Sequence, residues 1–172
     1  MLIENFDHTI DFWIMELEQY SFTQLCTKPS SAAWSLGQLY IHLINDTRFY
    51  IEQLRNCIAT NENADEEASA FAKAMFFNNE FPDEAIEGAP SNAYILQPDS
   101  TLQLMNDFLN LKADIRTVGQ LIAENSSKGK TKHPGLGYFN ADEWFQFAEM
   151  HLRHHVRQKK RIDRFLKMYP EQ

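Results

Sequence analysis

Apolar side chains recur along this chain at steps of three and four residues, the spacing that collects them on one face of an α-helix. Ile3, Phe6, Ile10, Trp13, Ile14 and Leu17 form the first such stripe. After the turn-forming segment TKPSSAAW, Ser35 stands at an N-cap position, where its hydroxyl accepts from an otherwise orphaned amide of a helix start. The stripe behind it, Leu36, Tyr40, Leu43, Thr47, Tyr50, Leu54 and Ile58, predicts a second helix ending near Ala59. Ser100 and Gln103 have capping-box spacing and open a third, which runs through Leu104, Phe108, Leu111, Ile115, Val118 and Ile122 and fades near Asn125. Asn140 with Glu143 repeats that spacing before the last helix, whose stripe is Trp144, Phe147, His151, His155, Ile162 and Phe165. It runs towards Tyr169, and Pro170 closes it. Strand-like alternation is almost absent.

The connections decide how four such helices are arranged. Roughly forty residues separate the second from the third, too many for a tight hairpin between antiparallel neighbours, so a crossover is predicted. Ala64 to Phe77 suits one short helix within it, while Pro82, Gly88, Pro90 and Pro98 keep the rest irregular. Between the third and fourth helices, SSKGKTKHPGLGYFN reads as a glycine-rich loop lining a pocket. The expected fold is all-α: one domain over residues 1–172, an antiparallel four-helix bundle with a long crossover between helices two and three.

Composition narrows the function. The 172 residues, 44% hydrophobic and 13% aromatic, can enclose one sizeable core. Sixteen Lys+Arg against 24 Asp+Glu give a formal net charge of -8, which repels a phosphate backbone and argues against nucleic-acid binding. Glu4, Asp7 and Asp11 stand where a signal peptide would be basic, and no apolar run approaches about 18 residues. A membrane partner is therefore not expected. Cys26 and Cys57 form no CxxC pair, and a reducing cytoplasm is the expected compartment.

Candidate chemistry lies in EMHLRHHVRQKKRI, Glu149 to Ile162. At about 100° per residue, Trp144, Phe147, Ala148, Leu152, Ile162, Phe165 and Leu166 share one face with His151 and His155 at its middle. Arg153, Arg157, Lys160, Arg164 and Lys167 collect opposite, as a solvated face, and His154 falls at the boundary. A lone histidine on an apolar face is ordinarily a core residue hydrogen-bonded to a neighbour. A pair four residues apart differs: its imidazoles converge, each needs a polar partner, and one metal ion satisfies both. Elsewhere, His8 points away from its stripe and His133 sits in the loop, so both are poor ligands, whereas His42 flanks the stripe of the second helix on the side of Asp46.

Two stretches, AAWSLGQLYIHLI and HPGLGYFNADEWFQFAEMHLRHHVRQ, resemble the DinB-like superfamily of four-helix-bundle proteins, and most closely a branch of unknown function. The resemblance follows helix order along the whole chain and implies three metal ligands: His42, His151 and His155. His154 matches a position that is often histidine without being a usual ligand. Three neutral imidazoles leave coordination positions open, as catalytic rather than structural sites do. Imidazole suits zinc, nickel, iron and copper alike; zinc or nickel is expected. The chain lacks HExxH, since Leu152, Arg153 and His154 separate the pair, so no general base comes with the motif. Asp46, one turn after His42, is the nearest candidate for a catalytic proton acceptor or a ligand orienter, and a solvated acid is an equal reading. Gln158 lies in line with the pair, as a hydrogen-bond partner of a ligand or as a polar residue at the bundle end; Tyr50 and Cys57 are read chiefly as core.

Three functions remain open: a metal-dependent hydrolase of unknown substrate, a metal-dependent S-transferase presenting a small thiol, and a non-catalytic binding protein stapled by its metal. The expected partners are a small-molecule substrate, a small thiol among the candidates, and a second copy of the chain in a homodimer.

Overall fold

The computed structural model describes residues 2–82 and 94–168. Its elements follow the order α1 Leu2–Leu17, α2 Phe22–Cys26, α3 Leu36–Ala59, α4 Ala70–Asn78, α5 Thr101–Glu124, β1 Thr131–His133, β2 Gly137–Phe139 and α6 Ala141–Met168. The four long helices, α1, α3, α5 and α6, coincide with the four hydrophobic stripes. Gly88, Pro90, Tyr169 and Pro170, to which the sequence assigns irregular chain and a helix stop, lie outside the described residues.

Caps begin the helices where the polar spacing places them. Ser35 accepts from the Gln38 amide while the Gln38 side chain accepts from the Ser35 amide, closing a reciprocal box at α3. Asn140 and Glu143 do the same before α6. At α5 only half the box forms: Ser100 accepts from Gln103 N, but the Gln103 side chain turns to the Asp99 amide. The short crossover helix begins at Ala70 rather than Ala64, because Ser69 caps the Ala72 amide and Asn79, in the left-handed conformation, ends it.

Contacts between helices fix their directions. Phe6 meets Phe145, Trp13 donates to the Leu152 carbonyl and Tyr20 to Asp163, so α1 and α6 run parallel. Arg48 pairs with Asp107 and Arg55 with Asp114, so α3 and α5 are parallel as well. Antiparallel packing joins α1 to α5, through Asp7–Arg116 and Asp11–Lys112, and α3 to α6. The crossover is what makes this possible. It carries the chain back along the bundle and docks beside the start of α3, where Gln38 donates to the Ile95 carbonyl at 2.6 Å and Ser35 to Gln97 at 2.8 Å.

The core runs the length of the bundle. Trp13, Tyr40, Phe108 and Trp144 are fully buried, and Tyr40 satisfies its hydroxyl on the Trp13 carbonyl at 2.8 Å. Truncating a residue such as Trp13 removes burial and leaves a cavity, at a cost of about 3–5 kcal/mol. No helix among the described residues is long and apolar enough to cross a membrane.

The segment read as a loop contains a small antiparallel hairpin, with Thr131 opposite Phe139 and His133 opposite Gly137. Its turn has Pro134 followed by Gly135 at φ +96°, and the Leu136 amide reaches back to the His133 carbonyl at 3.4 Å, the arrangement of a type II turn. Gly137, at φ +86°, lets the strand approach the crossover so closely that a Cβ there would stand 2.6 Å from the Glu67 carbonyl oxygen. The hairpin is thereby tied to the crossover and packs its aromatic residues against the start of α6.

Candidate metal centre

Helix α3 contributes one turn to the centre and helix α6 two. His42 is buried on the inner side of α3; His151 and His155 lie on adjacent turns of α6, whose antiparallel packing on α3 brings them opposite. His155 Nε2 stands 3.1 Å from His42 Nε2 and 3.1 Å from His151 Nε2, and one nitrogen from each ring lies within 4.8 Å of the others. Three nitrogens on a tetrahedral ion at about 2.0–2.1 Å would stand about 3.3–3.4 Å apart; the two separations from His155 are close to that value and the third lies within 4.8 Å, so the donor set can close on one transition-metal ion.

The electrostatics suit neutral donors. Burial, then the neighbouring His155 and His42, holds His151 well below the ordinary histidine range. Burial and His42 push His155 down to about 3, against a hydrogen bond to Gln158 that works the other way. Asp46 approaches from α3, its Oδ1 3.5 Å from His42 Nδ1 and its Oδ2 3.6 Å from His151 Nε2. Burial raises this carboxyl to about 6, although the hydrogen bond from Tyr50, at 3.4 Å, lowers it. Tyr50 thus has a polar duty besides packing on Trp144 and edge-on against His151. Gln158 Oε1 lies 2.9 Å from His155 Nδ1.

The remaining histidines stand apart. His8 is exposed. His154 packs on Phe81, with its ring 5.3 Å from that of His155, outside the three-nitrogen cluster. His133 is sandwiched among Phe139, Trp144 and Phe147, and burial lowers it to about 4. Cys57 is likewise a core residue, its thiol directed at the Phe139 carbonyl.

Some of the surroundings escape sequence reading. Trp34 packs on His42 at 5.0 Å from just before the α3 cap, and Phe81 reaches His151 from the crossover. Neither lies in a periodic stripe; Trp34 falls within the AAWSLGQLYIHLI stretch that carries the family resemblance, but no spacing places either ring against the histidines. Arg153 also does more than meet solvent: it grips both oxygens of buried Glu149 and donates to the Asn79 carbonyl at 2.8 Å, fastening α4 to α6. Lys159 is only 2% exposed and binds Glu16 of α1 at 2.5 Å, the Tyr20 hydroxyl at 2.6 Å and Asp163 at 2.8 Å. Its sequence signal was available, a lysine inside the apolar sector with an acid four residues on.

No curated protein matches the chain by sequence. Among solved structures, the fold is similar to that of YfiT from Bacillus subtilis, described as "a probable metal-dependent hydrolase with an unusual four-helix bundle topology". The TM-score is 0.63 over 96% of this chain and 86% of that one, at 11% sequence identity, a likeness of fold. Sequence gives the family directly: the model of the DinB superfamily matches residues 5–158, and the chain belongs to that superfamily.

Proposed function

We propose that His42, His151 and His155 hold one divalent transition metal, zinc or nickel, and that the protein is a metal-dependent hydrolase acting on a small molecule. The observation that carries this reading is the convergence of three imidazole Nε2 atoms, from helices far apart in sequence, at a spacing one ion would occupy. Bound there, such an ion supplies Lewis acidity, polarising a substrate oxygen and lowering the pKa of water. Three protein donors leave it room to do so.

The chain's own residues have separate tasks. The histidines bind as neutral bases. Asp46 is the carboxylate that reaches the cluster; on this reading its Oδ2, beside His151 Nε2 and the Tyr50 hydroxyl, receives the proton released when water is activated. Tyr50 fixes the rotamer of that carboxylate. Trp34 and Phe81 wall the site with apolar surface and reduce competition from bulk water. The description of YfiT as a probable metal-dependent hydrolase supports the same class, as a property of that protein. We place the protein in the cytoplasm, a reading supported by its two free cysteines.

The test is metal content and hydrolysis of an ester panel by protein purified without a histidine tag, before and after chelation. Stoichiometric metal and activity that returns with it are expected. Hydrolysis unaffected by complete metal removal would defeat the reading, and conjugation of small thiols in place of ester cleavage would redirect it to a transferase. In Asp46→Asn, metal content should persist while hydrolysis falls by roughly 10²–10⁴-fold, the usual contribution of a positioned base.

A further inference from the structure

Gln158 follows His155 by three residues on α6. Side chains on a helix lean towards its N-terminus, so Gln158 reaches back over the turn that carries His155. Its Oε1 lies 2.9 Å from His155 Nδ1. At the opposite edge of the same ring, Nε2 faces both other histidines at 3.1 Å. A neutral imidazole carries its proton on one nitrogen or the other, and the partner decides which. An amide oxygen only accepts, so this contact requires the proton on Nδ1 and leaves Nε2 with an unshared pair.

We propose that Gln158 is a positioning residue that holds His155 in its Nδ1–H tautomer, with the Nε2 lone pair aimed at the middle of the three-histidine cluster. The purpose of this arrangement rests on the metal reading above; its content does not, because the tautomer belongs to the metal-free protein. Gln158 turns the ring, fixes its proton and prevents the opposite tautomer from closing the cluster with an N–H. The acceptor's chemistry matters as well. A carboxylate at this position would add negative charge to the ligand and moderate the acidity of an ion held there, whereas an amide orients the ring and adds none. The two ends of the donor set are thus supported differently, His155 by a neutral amide and His42 by the more distant carboxylate of Asp46, 3.5 Å away.

The experiment begins with metal-free wild-type protein at neutral pH, using long-range ¹⁵N–¹H correlation to read the protonated nitrogen of His155. A proton on Nδ1 is expected; a ring dominated by Nε2–H overturns the proposal. Zinc affinity is then measured by competition titration for Gln158→Leu and Gln158→Glu. The leucine variant should bind about 10–100-fold more weakly, and the glutamate variant should recover wild-type affinity or exceed it. Undiminished affinity in Gln158→Leu also overturns the proposal. If wild-type protein takes up neither zinc nor nickel, the functional reading fails while the tautomer measurement still decides the role of Gln158.

Discussion

Two buried polar clusters sit one turn apart on α6, and they are finished to different degrees. Around Lys159, a single ammonium meets Glu16, Asp163 and the Tyr20 hydroxyl, and Tyr20 in turn donates to Asp163 at 2.6 Å. Burial works against the lysine's charge, but Asp163, Glu16 and Tyr20 outweigh it and hold its pKa above the ordinary value. Burial and the Asp163 contact push Tyr20 up to about 12. That cluster contains its own cation. Around His42, His151 and His155, burial is similar and basic nitrogens crowd together, and burial keeps His151 and His155 from becoming cations themselves. The first cluster joins two helices and is complete; the second is a set of donors whose natural complement is a positive ion from outside.

The contrast can be broken in order of expected effect. Replacing His155 with Ala should abolish stoichiometric metal uptake, measured by elemental analysis. In parallel, zinc at about 100 times its Kd should stabilise wild type by about 2.7 kcal/mol and leave the variant's thermal transition where it was. Retained metal would remove His155 from the ligand set. Lys159→Met should do the reverse: metal content unchanged, but unfolding in urea easier by about 2–3 kcal/mol, less than for a fully enclosed pair because Glu16 and Asp163 stay partly exposed. If Lys159→Met lost its metal without losing stability, the division between the clusters would be wrong.

A smaller effect concerns His133, which belongs to neither cluster. Its folded pKa, near 4, lies below the ordinary histidine value of 6.5. The stability linked to its neutral form is therefore complete above about pH 6.5 and is lost as the pH falls towards 4, when the unfolded chain takes up the proton first. His133→Phe, which keeps an aromatic ring against Phe139, Trp144 and Phe147, should flatten the pH dependence of urea unfolding in that window by about 1–2 kcal/mol, discounted for partial exposure. Identical pH profiles for the two proteins would show that His133 titrates normally.

What the sequence made legible follows from what a period encodes. A repeat of 3.6 residues reports which face of a helix is apolar, so the four long helices and the inward angle of His151 and His155 were readable from spacing. It does not report which way neighbouring helices run. The parallel pairs α1/α6 and α3/α5 emerge only from cross-helix contacts such as Phe6–Phe145 and Arg48–Asp107. Elements shorter than two turns leave too few positions for a pattern, which is why the five-residue α2 has no reading in the sequence and the three-residue strands read as loop. His42 was singled out by resemblance more than by angle, since a single boundary histidine has no partner within its own helix. Lys159 shows the same limit: its acid at i+4 is visible, but Glu16 at the end of α1 and Tyr20 just beyond it lie more than a hundred residues away in sequence.

Residue 42 and residues 151 and 155 become neighbours only after the chain has traversed the crossover, α5 and the hairpin. The donor set therefore requires α3 and α6 to be docked already, and closure of that long span is expected to come late in assembly. An ion arriving afterwards is expected to slow unfolding while leaving the refolding rate nearly unchanged, since a contact absent from the transition state acts on the escape rate alone. Metal would then set the lifetime of the native protein rather than the speed at which it is made.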